Sequence, residues 1–313
     1  MGDSSRPVIR VICGPTAAGK TAVAMSLARR ADIAIISADS RQIYRDFDVG
    51  TAKPTAHERR AVPHYGVDVL EPTERASAAW WAEQADTWIR DAMAHGRTPI
   101  VVGGTGLYLK ALFGALFEEP PMDPVKRREL QEVLAASDTE TLRRSVAQLD
   151  PSRAHLGRTQ LLRAIEIALL TGRRVSELHR ERRTPPRWSA RYLVVDPGPR
   201  LAEHIVSRTR AMFELGWRDE VRSLMRTVPL DAPAWNASGY RTIRELEQAG
   251  GVLSEQDAVE SVVIETRQYA KRQRTWFRHQ LADEQVTRID MQDPESSERM
   301  EAWWNERNGG DGA

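Results

Sequence analysis

Short apolar runs separated by polar or glycine-containing turns recur through the first 110 residues and predict the strands of a sheet. The runs cover residues 8–13, 32–37, 63–70 and 99–102, and a last run follows at 192–195. Residues 22–30, between the first two runs, carry apolar side chains at helical spacing. Alternation of buried strands with helices predicts an α/β fold, in which a parallel sheet is flanked by helices.

The periodicity changes after residue 117, where strand-like runs stop and apolar side chains follow helical spacing. Prolines bound this region, at Pro120-Pro121 and at Pro185-Pro186. We interpret it as an all-helical insertion in the α/β core. The expected divisions are a first part of the core at 1–117, the insertion at 118–188, the rest of the core with basic C-terminal helices at 189–283, and a polar tail at 284–313.

The first predicted strand runs directly into a phosphate-binding motif, Gly14-Pro15-Thr16-Ala17-Ala18-Gly19-Lys20-Thr21, which matches G-x-x-x-x-G-K-[ST] at each fixed position. Glycines let successive backbone N–H groups converge on an anion, and the start of the next helix adds partial positive charge. Lys20 would contact a terminal phosphate oxygen, and the Thr21 hydroxyl would bind Mg²⁺. The motif predicts a di- or triphosphate site, with Mg²⁺ as cofactor, in a P-loop NTPase-like core.

Two further candidates follow other predicted strands. Asp39 comes directly after the run at 32–37, and Thr105 lies in a second glycine loop, Gly103-Gly104-Thr105-Gly106. Ligands of parallel sheets bind at the carboxyl ends of the strands, so both residues are expected on the side of the phosphate loop. Asp39 could support Mg²⁺, act as a general base or cap the following turn. Thr105 could donate to a phosphate or a substrate base, or belong to a strand-to-helix turn.

The formal net charge is only +1, but one segment, which begins inside the insertion, is strongly basic. Between residues 153 and 191, ten arginines face three acidic residues. The arginines are Arg153, Arg158, Arg163, Arg173, Arg174, Arg180, Arg182, Arg183, Arg187 and Arg191, and the acidic residues are Glu166, Glu177 and Glu181. A solvated helix face normally alternates in sign, so this excess indicates a surface for a polyanion such as nucleic acid.

The long helix predicted at 256–281 is also basic. Four cations recur at three- and four-residue steps and share one face, namely Arg267, Lys271, Arg274 and Arg278. Three aromatic residues are interleaved with them, namely Tyr269, Trp276 and Phe277. The cations suit a phosphate backbone, and the aromatic rings could stack on unpaired bases or could belong to the core.

Cysteine usage and hydropathy exclude several classes of protein. Cys13 is the only cysteine, which excludes an internal disulfide and a cysteine-based zinc site. No run approaches 18 apolar residues, so no membrane span is expected, and the polar start lacks a signal-peptide core. These features are typical of a cytoplasmic protein.

Several strings jointly resemble the tRNA dimethylallyltransferases, also called tRNA isopentenyltransferases. The resemblance spans about residues 8–280 and includes the phosphate-binding motif. The other strings are Ser37-Ala38-Asp39-Ser40, Gln42-Ile43-Tyr44, Gly50-Thr51-Ala52-Lys53-Pro54, Gly103-Gly104-Thr105-Gly106-Leu107-Tyr108, Leu162-Arg163-Ala164-Ile165-Glu166, Gly239-Tyr240-Arg241, Thr266-Arg267-Gln268-Tyr269-Ala270-Lys271-Arg272-Gln273 and Thr275-Trp276.

The resemblance implies transfer of a dimethylallyl group from dimethylallyl diphosphate to N6 of adenine 37, beside the tRNA anticodon. The motif at 14–21 and Arg208 would bind the diphosphate, and Lys20 would offset its charge as it leaves. Asp39 would accept the N6 proton, and Thr105 would line the reaction centre. The adenine would be extruded from the anticodon stem-loop into the pocket, and the enzyme is expected to be a monomer.

The family's tRNA contacts map onto four stretches of this chain. They are Asp39, Ser40, Arg41 and Gln42 with Thr105; Arg127; Thr159, Gln160, Leu161, Leu162 and Arg163; and Lys271, Arg272, Gln273, Arg274, Trp276 and Arg278. The family usually has Asn-Asp and a second arginine just before Leu-x-Arg-Ala, whereas this chain has Gly157-Arg158-Thr159-Gln160. Arg158 is expected to replace the missing arginine as a phosphate contact.

Three alternatives remain open. A small-molecule kinase would use ATP on the phosphate loop but leaves the arginine-rich insertion without a role. An enzyme that prenylates free adenosine phosphates would share the core and would not need the insertion. A non-catalytic RNA-binding module explains the basic surfaces but not the complete phosphate-binding motif.

Overall fold

The computed structural model describes residues 6–114, 120–181, 185–248 and 254–306. The chain divides into two compact units, one formed by residues up to Phe113 together with those from Arg187 onward, the other by Gly114–Pro186. Two of the arginines counted above, Arg182 and Arg183, and residues 307–313 of the expected tail lie outside the described residues.

The larger unit is built on one parallel sheet. Within the described residues six strands pair in the order β3-β2-β4-β1-β5-β6, and each pair is parallel. The strands are β1 Val8–Cys13, β2 Ile33–Ala38, β3 His64–Tyr65, β4 Thr98–Gly103, β5 Ser189–Val195 and β6 Val286–Ile289. This confirms the predicted α/β class.

Thirteen α-helices occur in the described part of the chain. They are α1 Lys20–Ala28, α2 Ala56–Ala61, α3 Ala78–Ala94, α4 Gly106–Phe113, α5 Pro124–Ala135, α6 Thr139–Leu149, α7 Arg158–Thr171, α8 Val175–Glu181, α9 Leu201–Glu214, α10 Trp217–Thr227, α11 Tyr240–Gln248, α12 Glu255–Gln280 and α13 Ser296–Asn305. No helix among the described residues has the length and apolar character that crossing a membrane requires.

The central strands are almost wholly buried because helices cover both faces of the sheet. All six residues of β2 are buried, and β4 is exposed only at Thr98. Apolar runs without alternation are expected for such strands. The register aligns Val11 of β1 with Val101 of β4 and with Tyr192 of β5, so the three strands end close together at one edge.

Much of the segment expected to form a polar tail belongs to the larger unit, as strand β6 and helix α13. β6 pairs with β5, so residues 192–195 do not form the last strand. The helix that follows, α13, buries Met300 and Trp303 in the same hydrophobic cluster as Ile289. β6 has only four residues, and polar Thr287 and Arg288 are acceptable because the strand lies at the edge of the sheet.

The smaller unit contains helices α5 to α8 around its own hydrophobic cluster. Leu142 and Val146 of α6 pack in this cluster with Leu161 and Ile165 of α7 and Leu178 of α8. Asp123 starts α5 by accepting the Val125 N–H, and Asp138 starts α6 by accepting the Thr141 N–H. The caps and the apolar stripe together explain why this segment folds as helices.

Candidate active site

Three loops of the larger unit meet at the carboxyl edge of the sheet. The P-loop, residues 14–21, follows β1; Asp39 follows β2; and Gly104 follows β4. All three contribute to the wall of one cavity of about 460 Å³. The prediction that parallel strands would bring these segments together at one edge therefore agrees with the geometry.

The P-loop has a backbone that requires glycine at two positions. Gly14 has φ 145°, and a Cβ atom there would lie 2.2 Å from the Val195 carbonyl oxygen. Gly19 has φ 93° and is the left-handed residue that precedes α1. Between them Pro15, Thr16, Ala17 and Ala18 carry the chain around the start of the helix. The loop thus directs the first turn of α1 toward the cavity.

Lys20 lies against its own loop. Its Nζ donates to the carbonyl oxygens of Gly14 at 3.1 Å and Pro15 at 2.7 Å. Burial lowers the pKa of Lys20 to about 8, with the nearby Arg208 charge acting in the same direction and Asp39 opposing it. An anion bound beside Lys20 would favour its charged form and raise that pKa.

Arg208 of α9 brings a second cation to the P-loop. Its Nη1 donates to the Thr16 hydroxyl at 3.3 Å, and its side chain lines the cavity. Burial lowers the pKa of Arg208, while the Asp39 charge opposes this shift. Thr21 lines the same cavity. The two cations and the P-loop amides form an arrangement suited to a diphosphate.

Asp39 is oriented by its own turn. Its Oδ1 accepts the Arg41 N–H at 2.9 Å, which is the local capping role considered from the sequence. The Asp39 side chain nevertheless lines the cavity together with Lys20 and Arg208. The turn therefore fixes the carboxylate without removing it from the site.

Thr105 braces the Asp39 turn. Its Oγ1 accepts the Ser40 N–H at 3.0 Å, and its own N–H donates to the Ala38 carbonyl at 3.1 Å. The cavity wall beside it is formed by Gly104 and Tyr269. Burial raises the pKa of Tyr269 to about 12, with the Asp39 charge acting in the same direction and a hydrogen bond with Thr105 opposing the shift. Thr105 thus links the carboxylate loop to α12.

Arg41 and Gln42 also line the cavity. The Gln42 Nε2 donates to the carbonyls of Thr51 at 3.2 Å and Ala52 at 3.1 Å, so Gln42 supports a neighbouring loop. The Ser40 hydroxyl lies 3.4 Å from the Thr105 Oγ1. Among residues 39–42, which were expected to contact tRNA, Arg41 is the residue that places a positively charged side chain at the cavity wall.

The basic helix α12 has two different faces. Lys271, Arg272 and Arg278 are exposed, as expected for residues that contact RNA. Gln273 is only 7% exposed; its Nε2 donates to the Gly104 carbonyl and its Oε1 accepts the Thr16 N–H, both at 2.8 Å. Gln273, which was expected to contact tRNA, lines the cavity, and its polar atoms join the P-loop to the second glycine loop.

Three other side chains of α12 have contacts within the larger unit. Arg274 pairs with Asp196, donating from Nε at 2.9 Å, and also contacts the Gly198 carbonyl. Phe277 is 2% exposed and belongs to the core, so it offers no ring to a base. Trp276 packs so closely on Gly106 that a Cβ atom there would lie 2.2 Å from its ring. Sequence spacing could not separate these inward side chains from the exposed ones.

In the smaller unit, Arg127 and Arg163 both contact Glu166. Glu166 is 5% exposed; its Oε2 accepts the Arg127 Nε at 3.1 Å and lies 3.7 Å from Arg163 Nη1. Gln131 donates to the other carboxylate oxygen at 2.8 Å. The two arginines expected to touch tRNA are therefore positioned by one buried carboxylate.

The start of α7 holds the remaining expected contacts. Thr159 and Gln160 are exposed, and Leu162 is half-buried. Leu161 has no exposed surface, so its side chain contributes to the core and the expected tRNA contact is wrong. Arg158 donates to the Ser137 carbonyl at 2.6 Å and the Ala135 carbonyl at 3.1 Å, so it ends α5 instead of supplying a free phosphate contact.

Sequence reasoning missed the apolar part of the cavity wall. Its members come from α9, α10, α12 and the loop before α11 and belong to one hydrophobic cluster; they are Ile205, Met212, Trp217, Ala237 and Val262. These residues belong to no sequence motif, and in the sequence each looks like an ordinary residue of the hydrophobic core. Only the fold shows that they share an enclosure with Lys20 and Asp39.

The chain is similar to known proteins over most of its length. Residues 42–280 match the family model of the IPP transferases, and residues 7–64 match that of isopentenyl transferase. A tRNA dimethylallyltransferase of Cyanothece sp. is 37% identical over 298 residues, which cover 95% of this chain and 97% of the relative. One of Myxococcus xanthus is 40% identical over 284 residues, covering 88% and 91%.

A solved structure is also similar. The crystal structure of the full-length tRNA isopentenylpyrophosphate transferase from Bacillus halodurans has a TM-score of 0.66 and 31% sequence identity, covering 95% of this chain and 94% of that one. The family match extends over most of the chain, and the cavity combines a P-loop, a carboxylate and an apolar wall. On these findings the chain belongs to the IPP transferase family.

Proposed function

We propose that the protein transfers a dimethylallyl group from dimethylallyl diphosphate to N6 of adenine 37 in tRNA. The observation that carries the proposal is a single cavity lined by Lys20, Arg208, Asp39 and an apolar cluster. The cations suit the diphosphate, the apolar wall suits the five-carbon group, and the carboxylate suits the adenine amine. The family relationship and the names of the relatives support the same reaction.

The reaction exchanges one bond for another. The bond between C1 of the dimethylallyl group and the diphosphate oxygen breaks, and a bond between C1 and adenine N6 forms. N6 is a weak nucleophile because its lone pair is conjugated with the ring, so its proton must leave as the new bond forms. Asp39 accepts that proton, and the turn that holds its Oδ1 orients the carboxylate.

The leaving diphosphate carries the developing negative charge. Lys20 and Arg208, which both contact the P-loop, stabilise this charge, and backbone N–H groups at the start of α1 add to the stabilisation. The Thr16 N–H is engaged by Gln273, so the amides after it are those that face the leaving group. Deprotonation of Lys20 would weaken its attraction to the leaving diphosphate.

Mg²⁺ fits the same cavity. Thr21 and Asp39 supply oxygen atoms to its wall, and oxygen is the ligand type that Mg²⁺ prefers. Within the described residues, no group of three or more His, Cys, Asp or Glu side chains is arranged to hold a metal. We propose that Thr21 would hold the ion jointly with diphosphate oxygens and water, where it would add charge stabilisation.

We propose that tRNA binds through cations in each unit. In the larger unit these are Lys271, Arg272 and Arg278 on α12, and in the smaller unit the Glu166-bound pair Arg127 and Arg163. Cations held on a rigid helix can contact phosphates at fixed spacing. Adenine 37 would leave its stack to reach the cavity.

One mixture tests the proposal. The protein is incubated with dimethylallyl diphosphate, Mg²⁺ and unmodified tRNA, and the digested nucleosides are analysed by mass spectrometry. An adenosine heavier by one dimethylallyl group is expected among the nucleosides, and partial digestion to oligonucleotides should place it next to the anticodon. Parallel reactions replace tRNA by AMP, or dimethylallyl diphosphate by ATP with small acceptors. Prenylation of AMP but not tRNA, or ATP consumption without prenyl transfer, would overturn the proposal.

A further inference from the structure

Helices α10 and α11 hold one loop of the cavity by its backbone. The Oε2 of Glu220 on α10 accepts the N–H groups of Asp48 at 3.0 Å and Val49 at 2.8 Å. The Tyr240 hydroxyl on α11 donates to Oε1 of the same carboxylate at 2.5 Å and accepts the Gly50 N–H at 3.0 Å. Three successive amides of the loop therefore end on one carboxylate–phenol pair.

The opposite side of this loop faces the cavity. Gly50, Thr51, Ala52, Lys53 and Pro54 all line it. We name residues 48–54 the wall loop. Its carbonyl groups at positions 51 and 52 accept from Gln42, which belongs to the segment after Asp39. The wall loop is thus held on one side by the pair and on the other by the segment that carries the carboxylate.

Trp217 connects the pair to the apolar wall. It lies at the start of α10, three positions before Glu220, and is 2% exposed. A Cβ atom on Gly50 would lie 2.1 Å from the Trp217 ring, and one on Gly239 would lie 2.3 Å from it. The ring therefore fits between two glycine backbones, and any shift of the wall loop would displace it.

Tyr240 is buried and Glu220 is half-buried, and their hydrogen bonds compensate for the contacts with water that both groups lose. Burial raises the pKa of Glu220, while donation from Tyr240, Val49 and Asp48 opposes the shift. Burial and the adjacent Glu220 charge raise the pKa of Tyr240, so the phenol keeps its proton and remains the donor. Removing the hydroxyl leaves the Gly50 N–H and one carboxylate oxygen without this partner.

We propose that Glu220 and Tyr240 are positioning residues for the prenyl donor, which act through the wall loop and Trp217. This inference rests on the proposed function, because it names the side of the cavity that fits the dimethylallyl group. Neither residue lines the cavity itself, so the effect on the donor is transmitted by Gly50 and Trp217. Donor binding and transfer depend on the pair, and tRNA affinity does not.

The test uses Tyr240→Phe with Tyr65→Phe as its matched control. The Tyr65 hydroxyl also donates to a carboxylate, Asp91 Oδ2 at 2.6 Å, and neither Tyr65 nor Tyr240 lines the cavity. The difference is that the Tyr240 hydroxyl also accepts the Gly50 N–H of the wall loop. For Tyr240→Phe we expect the KM for dimethylallyl diphosphate to rise about tenfold. The KM for tRNA should stay within about twofold of wild type, and Tyr65→Phe should leave both values unchanged.

Glu220→Gln provides a second variant that keeps the shape of the side chain. The amide oxygen can still accept the Asp48 and Val49 N–H groups, so this variant is expected to fold even if Tyr240→Phe does not. We expect a smaller rise in donor KM, about threefold, and thermal unfolding close to wild type. Folded variants whose donor KM equals that of wild type, or whose tRNA KM rises in parallel, would overturn the inference.

The experiments distinguish failure of the proposed function from failure of the positioning role. If wild type transfers no dimethylallyl group to tRNA, the proposed function is wrong. If wild type is active and the Tyr240→Phe and Tyr65→Phe variants behave alike, only the positioning role is wrong.

Discussion

The lowered pKa of Lys20 predicts that donor binding weakens in mildly alkaline solution. Lys20 is held by two carbonyl oxygens, and burial with the charge of Arg208 brings its pKa to about 8. Because a lowered pKa favours the neutral amine, the lysine loses its charge as the pH rises through 8. An unperturbed lysine would stay charged over the same range.

The magnitude follows from the titration curve. With a pKa of about 8, roughly three quarters of Lys20 is charged at pH 7.5 and roughly a tenth at pH 9.0. If only the charged form holds the diphosphate, the dissociation constant of dimethylallyl diphosphate rises about eightfold across this interval. The diphosphate of the donor is already ionised at pH 7.5, so its own charge adds little to the change.

The assay is calorimetric titration of the protein with dimethylallyl diphosphate and Mg²⁺ at constant ionic strength, without tRNA so that no transfer occurs. Lys20→Arg is the matched control, because a guanidinium stays charged throughout and should remove the pH dependence. An affinity of wild type that stays within twofold from pH 7.5 to 9.0 would refute the reasoning. An equal decline in Lys20→Arg would assign the titration to another group.

Four further outcomes are expected. Asp39→Asn should lower kcat a hundredfold or more, because a general base typically contributes a factor of that size. Filter binding should show unchanged tRNA affinity; a parallel loss of binding would mean that Asp39 anchors RNA instead of accepting the proton. Gly50→Ala would force a Cβ atom to 2.1 Å from Trp217, and urea unfolding should show a loss of about 1–3 kcal/mol. Glu166→Ala should destabilise the protein by about 2 kcal/mol, again by urea unfolding, because the arginines around it lose a buried carboxylate. Lys271→Ala should reduce the slope of log tRNA affinity against log salt by about one; an unchanged slope would remove Lys271 from the interface.

The part of the site that depends on local chemistry could be predicted from the sequence. The P-loop is a fixed spacing of glycine, lysine and threonine, because the backbone must bend around an anion. Asp39 and the second glycine loop could be placed beside it because the carboxyl ends of parallel strands share one edge. The observed strand order, which places β1 beside β4 and β4 beside β2, is the arrangement that makes this argument work.

The part that depends on tertiary packing could not be predicted. Gln273, Arg274 and Lys271 stand within four positions on one basic helix, and nothing in their spacing shows which points inward. The structure resolves this through their partners: Gln273 joins two glycine loops, and Arg274 pairs with Asp196. β6 escaped detection for a similar reason, since an edge strand has little need of an apolar run.

Counting charges also overstated how many arginines are free to bind a polyanion. Arg173 pairs with Glu181, and Arg174 lies 3.8 Å from a Glu177 oxygen. The few acidic residues of this segment therefore form ion pairs with its arginines. Arg158 caps a helix through carbonyl groups. The excess of positive charge remains after these pairings, but its geometry is set by intramolecular contacts that composition does not reveal.

The cavity wall itself argues for a prenyl diphosphate over a nucleoside triphosphate as the ligand of the P-loop. Ile205, Met212, Trp217 and Val262 form a contiguous apolar surface in the enclosure that holds Lys20. Burying a five-carbon group against such a surface contributes about 3 kcal/mol, at about 25 cal/mol per Å² of apolar area. A ribose placed there would lose hydrogen bonds to water that aliphatic side chains cannot replace. The same wall would thus favour the prenyl donor and disfavour ATP, and this difference in solvation separates the proposed transferase from a kinase built on the same P-loop.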